Sequence, residues 1–327
     1  MTLALPSLRS KVMRPSPTLP RLCIGMPTAR RSQEQYVDIT IASLFAQLTP
    51  QERAQILFNL LIAHTNPDEH PFYDGSASTV NASRLADNVL FYHDIAGGSK
   101  AMTNTIRQLE EKGKFHEKSY YDYDLLLHQC AASMAPYILI LEDDVLAQEG
   151  CYTGSRRSAF SSFPTVLIVS ILVVVALPTL ISPEPGPEEP PHAISSIHLD
   201  LDFLQPLRPG IHVMNNYGCC SQAFVFRRTM ALKLLDWFDE RIAADIKSTD
   251  PNNENGRKYL RGSVDSAMEV FANEQNLQRY ALVPSAFQHI GAQTYKESKN
   301  SRARELYNIS GARGIWSFGF EQLVPPA

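Results

Sequence analysis

The chain lacks the spacings that mark a zinc site: its five cysteines, Cys23, Cys130, Cys151, Cys219 and Cys220, form no Cys-x-x-Cys pair and no Cys/His run of the usual kind. In an oxidising compartment they allow one or two disulfides that spacing cannot assign, and adjacent Cys219 and Cys220 read as small buried side chains beside Gly218, since vicinal closure strains the intervening peptide. The chain also lacks a basic stripe. Net charge is only -4 and Arg30-Arg31 is too short a cluster to follow a phosphate backbone, which excludes a nucleic-acid partner. The first 22 residues have no apolar core of a signal peptide, only a short patch around Leu3 to Leu8 followed by basic and proline-rich residues. No internal repeat is visible. With 327 residues, 44% of them hydrophobic, the chain has enough apolar surface for one large domain or two smaller ones.

What is present begins with Tyr137 to Val145, Tyr-Ile-Leu-Ile-Leu-Glu-Asp-Asp-Val. A continuous Ile/Leu run is the pattern of a strand buried on both faces, and ligands of open α/β sheets bind beyond the carboxyl ends of such strands. Glu142 and Asp144 project one way with Asp143 between them, an arrangement that suits a hard divalent cation held by carboxylates and substrate phosphates. Three solvated acids decorating a strand end would look the same.

The rest of the pattern is α/β. Arg21 to Met26 reads as a first strand, with Pro27 to Arg31 as the loop at its end. Ser32 and Gln35 resemble a capping box before a helix carrying Val37, Ile41, Leu44 and Phe45. Strands follow at Ile56 to Ala63 and Val89 to Tyr92, with a polar turn at Asn66 to Glu69 and a helix at Tyr121 to Ala135. Farther on, Gln222 to Phe226 is a strand and a helix from Arg228 buries Met230, Leu234, Phe238 and Ile242. A helix starts near Ser263, and Tyr280 to Val283 is a late strand. Strands alternating with helices imply parallel βαβ units.

Between the two halves lies Phe163 to Ile181, inside a stretch without charge from Arg157 to Glu184. It is long enough for a transmembrane helix, for which about 20 residues cross a hydrocarbon core of about 30 Å. A buried helix or a pair of central strands is the alternative, because the run is rich in β-branched residues and Pro178 would kink a helix. The proline- and glutamate-rich segment after it is a stiff polar exit.

Three later residues suit the same chemistry. Asp265, at a helix start, either caps free amides or acts as a general base toward an acceptor hydroxyl. His289 is either a satisfied loop histidine or a nitrogen ligand that would favour manganese over magnesium. Gly218 permits close backbone approach, useful for an acceptor sugar and commonplace in a turn.

Taken together, Arg21 to Thr28, Leu139 to Val145, Tyr217 to Cys220 and Leu282 to Gly291 resemble the Golgi transferases that add an N-acetylgalactosamine side branch to the glycan of GPI anchors. More distantly they resemble the N-glycan-branching N-acetylglucosaminyltransferases. The likeness covers about residues 20 to 150 and 210 to 295. It implies a GT-A-like nucleotide-diphospho-sugar transferase fold with a mostly parallel central sheet, interrupted by a transmembrane insertion. The implied organisation is an N-terminal tail at 1–20, a first GT-A half at 21–150, a membrane insertion and Pro-rich linker at 151–209, and a second, acceptor-side half at 210–327.

The resemblance further implies a UDP-linked N-acetylhexosamine donor, Mn2+ or another divalent cation, and a GPI-anchor mannose as acceptor. It places Pro27, Thr28 and Arg30, with Glu142 and Asp143, around the nucleotide, and Glu142, Asp144 and His289 around the metal; Asp265 is the proposed catalytic base of an inverting transfer. The implied location is the Golgi membrane with a lumenal catalytic domain, in agreement with the N-glycosylation triplets at Asn81 and Asn308. An N-acetylglucosaminyltransferase acting on N-glycans is the rival enzyme, and a non-catalytic membrane protein derived from a degenerate transferase is the rival from another class. A single crossing would separate Glu142 from His289 across the bilayer. The apolar run therefore has to be a hairpin partner, a re-entrant segment or the product of an aberrant gene model, since two halves of about 10 residues are too short to span twice.

Overall fold

The computed structural model describes residues 19–31, 34–46, 48–71, 73, 86–95, 100–147, 210–214, 222–247, 263–283 and 286–291. The apolar run at 163–181, the linker after it, Gly218 with its two cysteines, and both glycosylation triplets lie outside the described residues. Among the described residues no helix is long and apolar enough to cross a membrane.

The central sheet of the described residues has five strands. β1 (Leu22–Thr28), β2 (Ile56–Ile62), β3 (Asn88–Leu90) and β4 (Tyr137–Leu141) are parallel, and β7 (Ala223–Arg227) pairs antiparallel with β4. Their order is β3-β2-β1-β4-β7. The mostly parallel sheet expected from the βαβ pattern is thus present, with one reversed strand at its edge. β5 (Val145–Ala147) pairs with β9 (Phe287–His289), and β6 (Gly210–Val213) with β8 (Tyr280–Val283), each as an antiparallel ribbon.

Helices cover both faces. Alternate residues of β4 divide between two cores: Ile138 and Ile140 face α4 (Lys100–Glu111), α5 (Phe115–Ala132), α6 (Arg228–Lys247) and α7 (Val264–Glu274), while Leu139 and Leu141 face α1 (Val37–Phe45). Such two-sided burial is why β4 is written as an unbroken apolar run. α5 comes so close to β1 that a β-carbon on Gly25 would stand 2.9 Å from Ile140 Cδ1 and 3.1 Å from Leu126 Cβ. A disulfide between Cys23 of β1 and Cys130 of α5, both wholly buried, ties the same pair of elements across 107 positions of sequence.

Several boundaries differ from the sequence reading. Pro27 and Thr28 belong to β1, not to the loop, because the parallel register with β2 continues to Thr28 opposite Ile62. The helix expected after Ser32 starts at Val37 with Tyr36 at its cap and no side-chain cap bond; Gln35 instead clasps the backbone of Arg31, accepting from its N–H at 3.3 Å and donating to its carbonyl at 2.8 Å. The capping box is at Thr49 and Glu52, opening the short α2 (Pro50–Arg53). Tyr92 has left the third strand for a one-turn helix, α3 (Tyr92–Ile95). α5 begins six residues before its expected start, since Lys118 and Asp122 neutralise each other inside the core at 3.0 Å.

Candidate active site and metal centre

β1 has β2 on one side and β4 on the other, so the chain reverses its direction of travel across the sheet between β1 and β4. The crevice beyond the carboxyl ends at such a switch point is where open α/β sheets bind ligands. The loop after β1 contributes Arg30 and Arg31 there, and the turn after β4 contributes Glu142, Asp143 and Asp144.

The acidic turn is held from below. Thr28 donates its hydroxyl to Asp143 Oδ2 at 2.7 Å, which leaves Thr28 Oγ1 to accept from His70 Nε2 at 3.2 Å. Thr40 of α1 donates to the Asp143 carbonyl at 2.7 Å and accepts from the Val145 amide at 3.2 Å. The Glu142 amide donates to the Gln222 carbonyl at 2.9 Å, extending the ladder with β7. Arg31 is 5% exposed and bridges the two aspartates, donating to Asp143 Oδ1 and lying 3.0 Å from Asp144 Oδ2. Burial pushes the Asp143 carboxyl up, and the Arg31 guanidinium and the Thr28 hydroxyl oppose that push.

β9 completes the site. Its His289 stands opposite Val145, and the Ile290 amide donates to the Asp144 carbonyl at 2.9 Å, so the imidazole arrives beside the acids. His289 Nε2 is 3.2 Å from Asp144 Oδ2. Ligating atoms of Glu142, Asp144 and His289 all lie within 4.8 Å of one another. Burial disfavours a charged His289, but the hydrogen bond and charge of Asp144 together with the charge of Glu142 outweigh it and raise the imidazole pKa. A β-carbon on Gly291 would fall 2.7 Å from Asp144 Cγ and 2.8 Å from His289 Nε2, so only glycine lets these two side chains share the space. Two carboxylates and an imidazole converging on one point fit a divalent cation with mixed oxygen and nitrogen donors.

Of the residues expected at the site, Glu142, Asp144 and His289 are brought together, although 145 positions separate Asp144 from His289. Asp143 turns away from them toward Thr28 and Arg31. Thr28 is buried in that contact, Pro27 is half-buried within β1, and Arg30 is exposed with its amide bonded to His64 Nε2 at 2.8 Å. Asp265 is in the first turn of α7, apart from the ligating group; its Oδ1 is buried and makes no hydrogen bond. It faces Tyr120, whose hydroxyl donates to the Ser263 carbonyl at 2.9 Å and whose pKa is pushed up to about 12 by burial and by the charges of Glu117 and Asp265. Tyr120 sits near the start of α5, close to Lys118, which lies under Tyr92 just past β3.

Sequence reasoning missed Arg31, Thr40, His70 and Gly291 as parts of the site. Arg31 left a signal: a cation in the loop after the first strand of an α/β pattern is one strand away from the acids if β1 and β4 are neighbours.

No family model matches the chain. Over 155 residues, 45% of this chain and 32% of the relative, it is 25% identical to the alpha-1,6-mannosyl-glycoprotein 4-beta-N-acetylglucosaminyltransferase of Gallus gallus. Over 144 residues, 42% of this chain and 25% of the relative, it is 26% identical to the alpha-1,3-mannosyl-glycoprotein 4-beta-N-acetylglucosaminyltransferase B of Mus musculus. Over 149 residues, 42% and 29% of the two chains, it is 26% identical to the corresponding enzyme C of Sus scrofa. The matched stretch thus spans about a quarter to a third of the length of these curated relatives. The similarity is to glycosyltransferases, and of the two resemblances drawn from the sequence blocks it is the N-acetylglucosaminyltransferase one that these relatives carry.

Proposed function

We propose that the chain is a metal-dependent glycosyltransferase that moves an N-acetylhexosamine from a UDP donor to a mannose hydroxyl. The observation that carries this reading is the convergence of Glu142, Asp144 and His289 at the switch point of a mostly parallel sheet. The names of the relatives favour N-acetylglucosamine as the sugar and a mannosyl-glycoprotein as the acceptor over N-acetylgalactosamine on a GPI-anchor mannose.

In this reading Glu142, Asp144 and His289 hold the cation, and the imidazole nitrogen favours Mn2+ over Mg2+. A divalent cation bound there supplies positive charge to a departing diphosphate. Arg31 acts as a positioning residue: buried between Asp143 and Asp144, it holds Asp144 in the orientation that meets His289. Arg30, exposed in the loop after β1, is the cation of that loop open to a nucleotide diphosphate. Asp265, in the first turn of α7, is the proposed base, a role that rests on its place in the sequence. The buried Cys23–Cys130 disulfide supports an oxidising compartment, in keeping with the Golgi lumen. Membrane attachment through residues 163–181 belongs to the same reading and rests on their sequence.

The test is transfer by the full chain with Mn2+, offering UDP-N-acetylglucosamine and UDP-N-acetylgalactosamine in turn to a mannosyl glycopeptide and to a GPI-anchor glycan. Product from the first donor on the glycopeptide, lost in Asp144→Ala, is the expected result. Product from the second donor on the GPI glycan restores the other acceptor. Absence of product together with absence of Mn2+-dependent UDP binding identifies a degenerate, non-catalytic protein.

A further inference from the structure

A second group of ligating side chains lies between helices α5 and α6, away from the acidic turn. Asp124 and His128 are four residues apart on α5 and so share one face of it. Asp239 of α6 faces them: His128 Nε2 is 3.1 Å from Asp239 Oδ1 and 3.7 Å from Asp124 Oδ1, and the three residues offer atoms within 4.8 Å of one another. Asp124 is 1% exposed, and its Oδ1, aimed into this group, makes no hydrogen bond. A buried carboxyl oxygen without a donor is held at a cost that coordination to a cation removes.

We propose that Asp124, His128 and Asp239 bind a transition-metal dication, with Zn2+ the ion whose chemistry fits the set. Metal–ligand bonds of about 2.1 Å in a tetrahedron place neighbouring ligand atoms about 3.4 Å apart, and the separations of 3.1 and 3.7 Å lie on either side of that edge. One imidazole and two carboxylates make a three-ligand set that leaves a fourth position for water. The side chain of Asp239 is 53% exposed, which gives the ion a route in from solvent. Asp236, on the same side of α6, adds negative charge toward His128. Burial disfavours a charged His128, and the hydrogen bond of Asp239 with the charges of the neighbouring aspartates outweighs it and raises the imidazole pKa; Zn2+ held by the three side chains would clamp α5 to α6. These helices share the core that also contains the Cys23–Cys130 disulfide, so the ion stiffens the support beneath β1 and β4. The site requires no transferase activity.

The experiment is a Zn2+ titration of the full chain against a chromogenic chelator, comparing wild type with Asp239→Asn, His128→Gln and Asp144→Ala. Asp239 is exposed, so its variant keeps the fold even if His128→Gln does not. Of the Zn2+ equivalents bound per wild-type chain, one that weakens at least about tenfold in Asp239→Asn and His128→Gln and persists in Asp144→Ala is the expected result, the equivalent at the acidic turn being lost in Asp144→Ala. In the Asp144→Ala background Zn2+ then raises the melting temperature, and adding Asp239→Asn abolishes the rise. No Zn2+ binding by wild type, or binding unchanged by both Asp239→Asn and His128→Gln, overturns the proposal.

Discussion

Gly291 packs against Asp144 so closely that a β-carbon at position 291 would stand 2.7 Å from the Asp144 carboxyl carbon. Since the same carbon would also crowd His289 Nε2, Gly291→Ala has to move one of the two cation ligands. The expected outcome is Mn2+ binding weakened about tenfold or more with the melting temperature little changed, measured by isothermal titration. Unaltered Mn2+ affinity would mean that Asp144 and His289 do not act on a common ion.

Arg31 answers a different question, the cost of an unpaired charge. Its guanidinium and the Asp143 carboxylate are both buried, with side-chain exposures of 3% and 4%. Arg31→Met keeps the length of the side chain and leaves Asp143 without its cation, so urea denaturation is expected to register a loss of about 3–5 kcal/mol. A loss below about 1 kcal/mol, the size of an exposed ion pair, would show that solvent reaches the pair.

Two neighbouring histidines predict a pH dependence. Burial, reinforced by Lys118, His70 and Arg30, lowers His64 from 6.5 to about 3, and burial lowers His70 to about 4. Both are neutral in the folded chain at pH 6, whereas the unfolded chain protonates them below about 6.5. The unfolded state therefore binds more protons, and stability falls as pH drops from 6.5 toward 4, by at most about 1.4 kcal/mol per pH unit for each histidine. His64→Gln retains an acceptor for the Arg30 amide and removes one titration, so its urea midpoint should decline less steeply over this range than that of wild type. Identical slopes would remove His64 from the balance.

The disulfide between Cys23 and Cys130 closes a loop of 107 positions. Cross-linking so distant a pair restricts the unfolded chain, and Cys23→Ala with Cys130→Ala is expected to cost about 2–5 kcal/mol in denaturant. Equal stability of the double variant and of wild type under oxidising conditions would contradict a formed bond.

How far the fold could be read from residues varies along the chain. β4 was legible because two-sided burial demands an unbroken apolar run, and the three acids after it mark where that run leaves the core. Leu234, Phe238 and Ile242 were legible as the buried stripe of α6 for the same reason of period. The start of α5 was hidden: Lys118, Ser119, Asp122 and Asp124 are all buried in it, so polarity no longer marks its outer face. α4 buries only Thr105, Ile106 and Leu109, too few apolar positions to mark a helix in the sequence. The direction of β7 depends on its pairing with β4, which no local pattern encodes. In the sequence Arg31 is half of a small basic pair; its partners are 112 and 113 positions away, and only the adjacency of β1 and β4 brings them together. Ser32 and Gln35 matched a capping pattern, but Gln35 is committed to the Arg31 backbone.

The central claim is that Glu142, Asp144 and His289 share one cation at the end of β4 and present it to a nucleotide diphosphate. Calorimetric titration of the full chain with UDP, with and without Mn2+, tests it most directly, using wild type and Asp144→Ala. The account predicts UDP binding that requires Mn2+ in wild type and disappears in the variant. Metal-independent UDP binding, or equal Mn2+-dependent binding in both proteins, would contradict it.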